Sequence, residues 1–202
     1  MAFLSKFRPA PSEAELFRTP QMDEEYADEA GSKLACELYM RILGIADAYK
    51  GEHSEFCRSA MVSQADSYAA SYLAYHAARC YPSEKLRVKF LEGSKKGFSL
   101  LAAVGTDSMG EKEHISRPKF ETLTNLVETQ YRTIRASLHS RLFRLFLGEA
   151  FVDEVFLTGR INDILGEGKA SVSQTMLGRF AKRVVSEVHH AVGTFARSMP
   201  RH

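Results

Sequence analysis

The sequence predicts an all-α protein: a helical bundle of four main amphipathic helices, a short helix and a long C-terminal helix. Three observations carry this. Apolar residues recur at three- and four-residue spacing through most of the chain, which is the repeat of one helix face. No stretch shows the strict apolar–polar alternation of a half-buried strand. Glycine, proline and polar clusters interrupt the pattern at intervals long enough for helices. The chain has 202 residues, 45% of them hydrophobic and 26% charged. That supplies one sizeable core and argues against wholesale disorder.

Residues 1–21 read as an N-terminal arm punctuated by Pro9, Pro11 and Pro20. Ser12 and Glu15 fit a capping box for a short helix over 13–18. Phe3, Phe7 and Phe17 give the arm apolar surface to bury, either on the bundle or on a partner. Residues 22–202 form the bundle domain. Its first helix is expected over 23–50, with Leu34, Leu38, Ile42, Ile45 and Tyr49 on one face and Gly51 as its stop. The second spans 54–81, with Cys57, Met61, Ala65, Tyr68, Tyr72 and Tyr75 in register. Pro82 ends it, because proline disfavours helical geometry in the residue before it.

The third helix runs over 83–104 through Leu86, Phe90, Gly97, Leu101 and Val104, and a loop rich in glycine and charge covers 105–118. A fourth helix opens at Pro118 and runs to about residue 147, carrying Leu123, Val127, Tyr131, Ile134, Leu138, Leu142 and Leu145. Gly148 allows a bend. Phe151, Val152, Val155 and Phe156 then form the short helix, with Gly159, Gly166 and Gly168 marking a second connection. The C-terminal helix covers 170–198 and opens with Ser171 and Gln174 as a capping box. Leu177, Ala181, Val184, Val188, Ala191 and Phe195 follow at alternating steps of four and three, a heptad seam. Such a seam packs on the chain's own core, or projects and meets another chain.

Composition excludes several functions. A net charge of +2 supplies no strong field, so nucleic-acid binding would need a local basic patch. Cys36, Cys57 and Cys80 are odd in number, widely spaced and lack a C-x-x-C pair. They fit small buried residues in a reducing compartment better than a disulfide framework. No apolar run is long enough to span a membrane, and no secretory signal is visible. The expected location is intracellular and cytoplasmic. Mitochondrial import is the alternative, raised by the basic, apolar first ten residues and opposed by Glu13 and Glu15.

Candidate chemistry is sparse. Glu111 with His114, and Glu187 with His190, have the E-x-x-H spacing of carboxylate-bridged dimetal bundles. The first pair falls in a loop, and His190 lies off the C-terminal seam. His189 and His190 are adjacent, about 100° apart on a helix, and cannot chelate one metal together. His76 beside the tyrosines could serve a haem, yet a satisfied core histidine is the simpler reading. The tyrosines and surrounding alanines read as a tight core with hydroxyls at its rim. Gly93 and Gly97 bracket two lysines without the strand or spacing of a phosphate loop, so they mark a close helix crossing with both lysines solvated. Arg132, Arg135 and His139 share one flank of the fourth helix, and Arg179, Lys182 and Arg183 add charge near the C-terminus. This basic face could dock nucleic acid, anionic lipid or an acidic surface. Arg141, close to the apolar stripe, is expected to snorkel or to pair with a buried acid. No nucleophile, metal site or cofactor motif stands out, and no cofactor is predicted.

The leading expectation is therefore a non-catalytic interaction or structural subunit of a larger assembly, with a protein partner or a second copy of the chain. Phe3, Phe7, Phe17, Leu177, Val184, Val188 and Phe195 would form its interface, with the seam residues more exposed than a core permits. The first alternative is a helical protein that binds a haem, metal or other ligand, an enzyme being one form of it, with His76 or His139 pointing into a tyrosine-lined pocket. The second is a nucleic-acid-binding module that uses the basic face.

Overall fold

The computed structural model describes residues 20–49, 55–107, 117–137, 141–167 and 172–199. They form an all-α bundle with no strand among the described residues. The helices are α1 (Pro20–Asp47), α2 (Glu55–Cys80), α3 (Glu84–Asp107), α4 (Arg117–Ser137), α5 (Arg141–Glu167) and α6 (Gln174–Ser198). None is long and apolar enough to cross a membrane among the described residues. The N-terminal arm through Thr19 lies outside the described residues.

α2 touches each of the other five helices and is the axis of the bundle. Its composition explains why. Ala65, Ala69 and Ala77 are wholly buried and let neighbouring backbones come close, while Met61, Tyr68 and Leu73 fill the wider gaps. A helix buried on nearly every side needs small residues rather than a single apolar stripe.

α1 and α3 run parallel, joined by α2 as the return. Gly31 meets the backbone of Phe90 and Ser94, Gly93 that of Asp28, and Gly97 that of Ser32. A methyl group on Gly93 would sit 1.9 Å from the Asp28 carbonyl oxygen, so only glycine permits this crossing. The expected close crossing at Gly93 and Gly97 is therefore present, and Lys95 and Lys96 are exposed. Lys96 pairs with Asp28 at 2.8 Å and Lys85 with Glu24, which ties the acidic start of α1 to α3.

Three expectations about the second half need correction. First, α5 bends at Gly148 as expected (φ +67°, ψ 152°), a conformation glycine adopts without strain. It then continues through Gly159 to Glu167 instead of ending as a short helix. An interior glycine costs a helix only about 1 kcal/mol. Here Asp153, Leu157, Ile161 and Leu165, spaced by four and all buried, hold the helix to the core. Second, α6 starts after Ser173, which is extended and makes no side-chain cap. Gln174 does not close a capping box. Its amide exchanges two hydrogen bonds with Asn162 of α5, at 3.1 and 3.0 Å. Third, the C-terminal helix does not project. It packs on α5, α1 and α2, with Arg41 bonded to Glu187 at 2.6 Å and Phe195 stacked on Phe90 at 5.3 Å. Its end at Met199 is extended, as the following Pro200 requires.

Candidate functional site

A ring of polar and aromatic side chains closes around the middle of the bundle. Asp153 is its anchor. The four-residue ladder of α5 turns this carboxyl group into the core, where it is 0% exposed. Its Oδ2 accepts hydrogen bonds from Tyr68 (2.9 Å), Tyr131 (3.2 Å), Arg135 Nη2 (2.9 Å) and His189 Nε2 (2.8 Å). Because the oxygen accepts, His189 Nε2 is assigned the proton. Arg135 also donates through Nε to the Tyr131 hydroxyl at 2.9 Å. Tyr131 therefore accepts from the guanidinium and donates to the carboxylate.

Aromatic contacts complete the circuit. Tyr72 stacks on His189 at 4.4 Å and lies 4.3 Å from His76. His76 lies 4.9 Å from Tyr75, which meets Tyr131 edge-on at 5.8 Å. The Arg135 guanidinium sits 5.2 Å from the Tyr131 ring centre and 5.8 Å from that of Tyr75, within reach of the negative ring faces. Helices α2, α4, α5 and α6 all contribute.

Electrostatics follow from burial. Desolvation, with the Arg79 and Arg135 charges behind it, lowers the His76 pKa to about 4, so its imidazole is neutral at physiological pH. Desolvation pushes the Tyr72 hydroxyl up to about 12, and Tyr68 and Tyr131 also rise, with Asp153 as a further cause. All three phenols remain protonated donors. For Arg135, burial works against the charge, but Asp153 and Tyr131 outweigh it and the guanidinium is retained. Two buried polar atoms are left over: Asp153 Oδ1 and His76 Nε2 have no hydrogen-bond partner. The ring is not sealed from solvent, since the His189 side chain is 22% exposed and Glu149, 3.9 Å from Arg135, is 45% exposed.

The residues singled out by sequence are distributed differently. Leu177, Val184 and Val188 are wholly buried in the chain's own core, so the expected exposure of the seam is not found. Phe195 is partly buried against Phe90 and Tyr81. Phe3, Phe7, Phe17 and His139 lie outside the described residues. Arg132 is exposed and bonded to Glu128, whereas Arg135 turns inward, so the two do not share a solvent face. Arg179, Lys182 and Arg183 are exposed together on α6, with Arg179 and Arg183 about 6 Å from the Tyr49 ring. Glu187 pairs with Arg41, and His190 faces solvent. Glu111 and His114 lie outside the described residues. Among the described residues no three of His, Cys, Asp and Glu converge as metal ligands.

The tyrosine hydroxyls are not all at the rim of the core: those of Tyr68 and Tyr131 face its centre. Sequence reasoning missed Asp153 and its pairing with Arg135; the side chain of Arg141, expected to snorkel or to pair with a buried acid, lies outside those described. The signal was present for both residues. Asp153 heads the ladder of Leu157, Ile161 and Leu165, and Arg135 extends the step of four from Val127 and Tyr131. Compared with known proteins, the chain matches no family model, no curated protein and no solved structure.

Proposed function

We propose that the chain is a helical ligand-binding protein whose site is the ring around Asp153 and Arg135. One observation carries the reading. Every donor on Asp153 uses a single oxygen, leaving Oδ1 without a partner, and His76 Nε2 in the same ring is also unpartnered. Buried polar atoms are almost always satisfied, so two such atoms in one ring call for a partner from outside the chain, a donor in the case of Asp153 Oδ1. The occupant is a small polar molecule with hydrogen-bond donors, held between tyrosine faces and reached past His189. The test is native mass spectrometry of the purified chain, paired with imidazole NMR. A small molecule released on denaturation, absent from His76→Phe, is the expected result. A chain that carries nothing, with His76 and His189 resonances unmoved across a panel of amines, amides and alcohols, refutes the reading.

A second reading, the non-catalytic subunit of a larger assembly, draws on Phe151 and Val155. They lie one turn apart on α5 and are 46% and 56% exposed. Light scattering tests it: a mass above one chain that falls to one chain in Phe151→Ser/Val155→Ser supports it. A monomer that captures no partner removes it.

A further inference from the structure

α6 carries its cations on one face. Arg179, Lys182, Arg183, His190 and Arg197 fall within about 100° of the helix circumference, opposite the buried seam of Leu177, Val184 and Val188, and all of them are exposed. Arg179 and Arg197 stand about 27 Å apart along the axis. The arc contains no acid. Glu187, beside it, is bonded to Arg41 at 2.6 Å. Among the described residues no ion pair engages Lys182, Arg183 or Arg197. The acidic start of α1 does not neutralise the face either, because Glu24, Asp28 and Glu29 are taken by Lys85, Lys96 and Lys33. Arg179 and Arg183, one turn apart, rest against the Tyr49 ring at 5.8 and 6.0 Å, and Arg197 donates to Thr194 at 3.1 Å. These contacts hold three long side chains in place before a partner arrives, which lowers the ordering cost of binding.

We propose that this face of α6 docks on the phosphate backbone of duplex DNA without reading its bases. Phosphates ask only for correctly placed positive charge, which is what the arc supplies. Other anionic partners fit less well. Among the described residues the large exposed apolar side chains, such as Leu126 and Phe151, all stand on other helices. The face therefore lacks both the apolar anchors of a protein interface and the apolar flank of a helix that lies on a membrane. No aromatic side chain is exposed in the arc, so unpaired bases find no stacking platform. A convex helix face fits the wide major groove of B-form DNA and its bordering phosphates, whereas the major groove of duplex RNA is too narrow for side chains. The surface uses no residue of the ring at Asp153 and stands whether or not that ring holds a ligand.

The experiment is fluorescence anisotropy of a labelled DNA duplex of arbitrary sequence, titrated with the full chain over a series of sodium chloride concentrations. With the arginines and lysine of the arc on phosphates, log K should fall against log salt with a slope of roughly −3.6. K182A/R183A should weaken binding at low salt by roughly tenfold and bring the slope to about −1.8. Both side chains are exposed, so the fold is retained, which circular dichroism checks. R197A, at the other end of the arc, should reduce the slope by about one unit. K33A/K95A removes the same charge from α1 and α3 and should bind as the wild type does. No binding at low salt, binding that salt does not weaken, or an equal loss in K33A/K95A and K182A/R183A overturns the proposal. Tighter binding to an RNA duplex of the same length, or to phosphatidylserine vesicles, overturns the choice of DNA.

Discussion

Substituting Gly93 with alanine tests the packing of α1 against α3 most directly. The added methyl would lie 1.9 Å from the Asp28 carbonyl oxygen and 2.7 Å from its carbon. Both are backbone atoms of a helix, so neither can rotate away. Ordinary contact begins near 3.4 Å, and the helices must part by about 1.5 Å at this point. A gap of 0.5–1 Å already forfeits a quarter to a half of a contact's dispersion energy, so the crossing through Gly31 and Gly97 loosens as well. Overpacking of this kind costs about 3 kcal/mol. Alanine returns about 1 kcal/mol through its helix propensity. The net loss is about 2 kcal/mol, which in a chain of this size lowers Tm by roughly 4–8 °C. Gly159→Ala is the control. It has open space around the new methyl and should raise stability by up to about 1 kcal/mol. Urea denaturation of both variants gives the comparison. A Gly93→Ala protein as stable as the wild type would refute the glycine-mediated crossing.

Arg135→Met should cost about 3–5 kcal/mol, since it strands the buried Asp153 carboxylate, and equilibrium unfolding will show whether Asp153→Asn added to it restores part of the loss. His76 binds its proton less readily in the folded chain, near pH 4, than in the unfolded one, near 6.5. Its contribution to stability is complete above pH 6.5 and is lost as pH falls toward 4. The slope of unfolding free energy against pH in that window should flatten in His76→Gln. Burial raises the Cys80 thiol to about 11, so iodoacetamide should modify Cys80 only after unfolding, while Cys36, part-exposed, reacts first in a mass-spectrometric time course. Phe151→Ser and Val155→Ser should each shift stability by less than about 0.5 kcal/mol, because both side chains stand largely in solvent. A larger loss would place them in the core after all.

The helices of the first half were legible because their signals are local. Gly51, Pro82 and the stripe from Leu34 to Tyr49 act within a few residues, and the observed bounds of α1, α2 and α3 differ from the expected ones by no more than three residues. Gly93 and Gly97 were legible for a related reason, since glycines four apart inside a helix have few other uses. Gly159 was misread because a glycine marks the end of a helix only when tertiary contacts do not carry the chain past it, and Leu157 and Ile161 do carry it. The heptad period of α6 was correct, but a period does not say which surface it meets. The polar ring was the least legible feature. Its members sit at residues 68–76, 131–135, 153 and 189, on four helices, and a charged residue on a helix reads as solvent-facing by default. Only the positions of Arg135 and Asp153 within apolar ladders distinguish them from Arg132 and Glu154.

The same placement bears on why the ring is there. A buried Arg–Asp pair adds little to stability, because desolvation cancels most of its attraction, and apolar side chains of similar volume often do as well or better. The bundle does not lack apolar alternatives, since Leu157, Ile161 and Phe180 fill comparable positions without a charge. A fold optimised for packing alone would not bring one carboxyl group against a guanidinium, an imidazole and two phenols, and then leave its second oxygen unsatisfied. Conformational specificity could account for the satisfied half of the ring, because each donor on Asp153 Oδ2 fixes one helix against α5. It does not account for Oδ1 or for His76 Nε2, which fix nothing within the chain. On the proposed reading these two atoms meet the bound molecule, which makes the centre of the bundle, rather than the C-terminal seam, the first place to test for function.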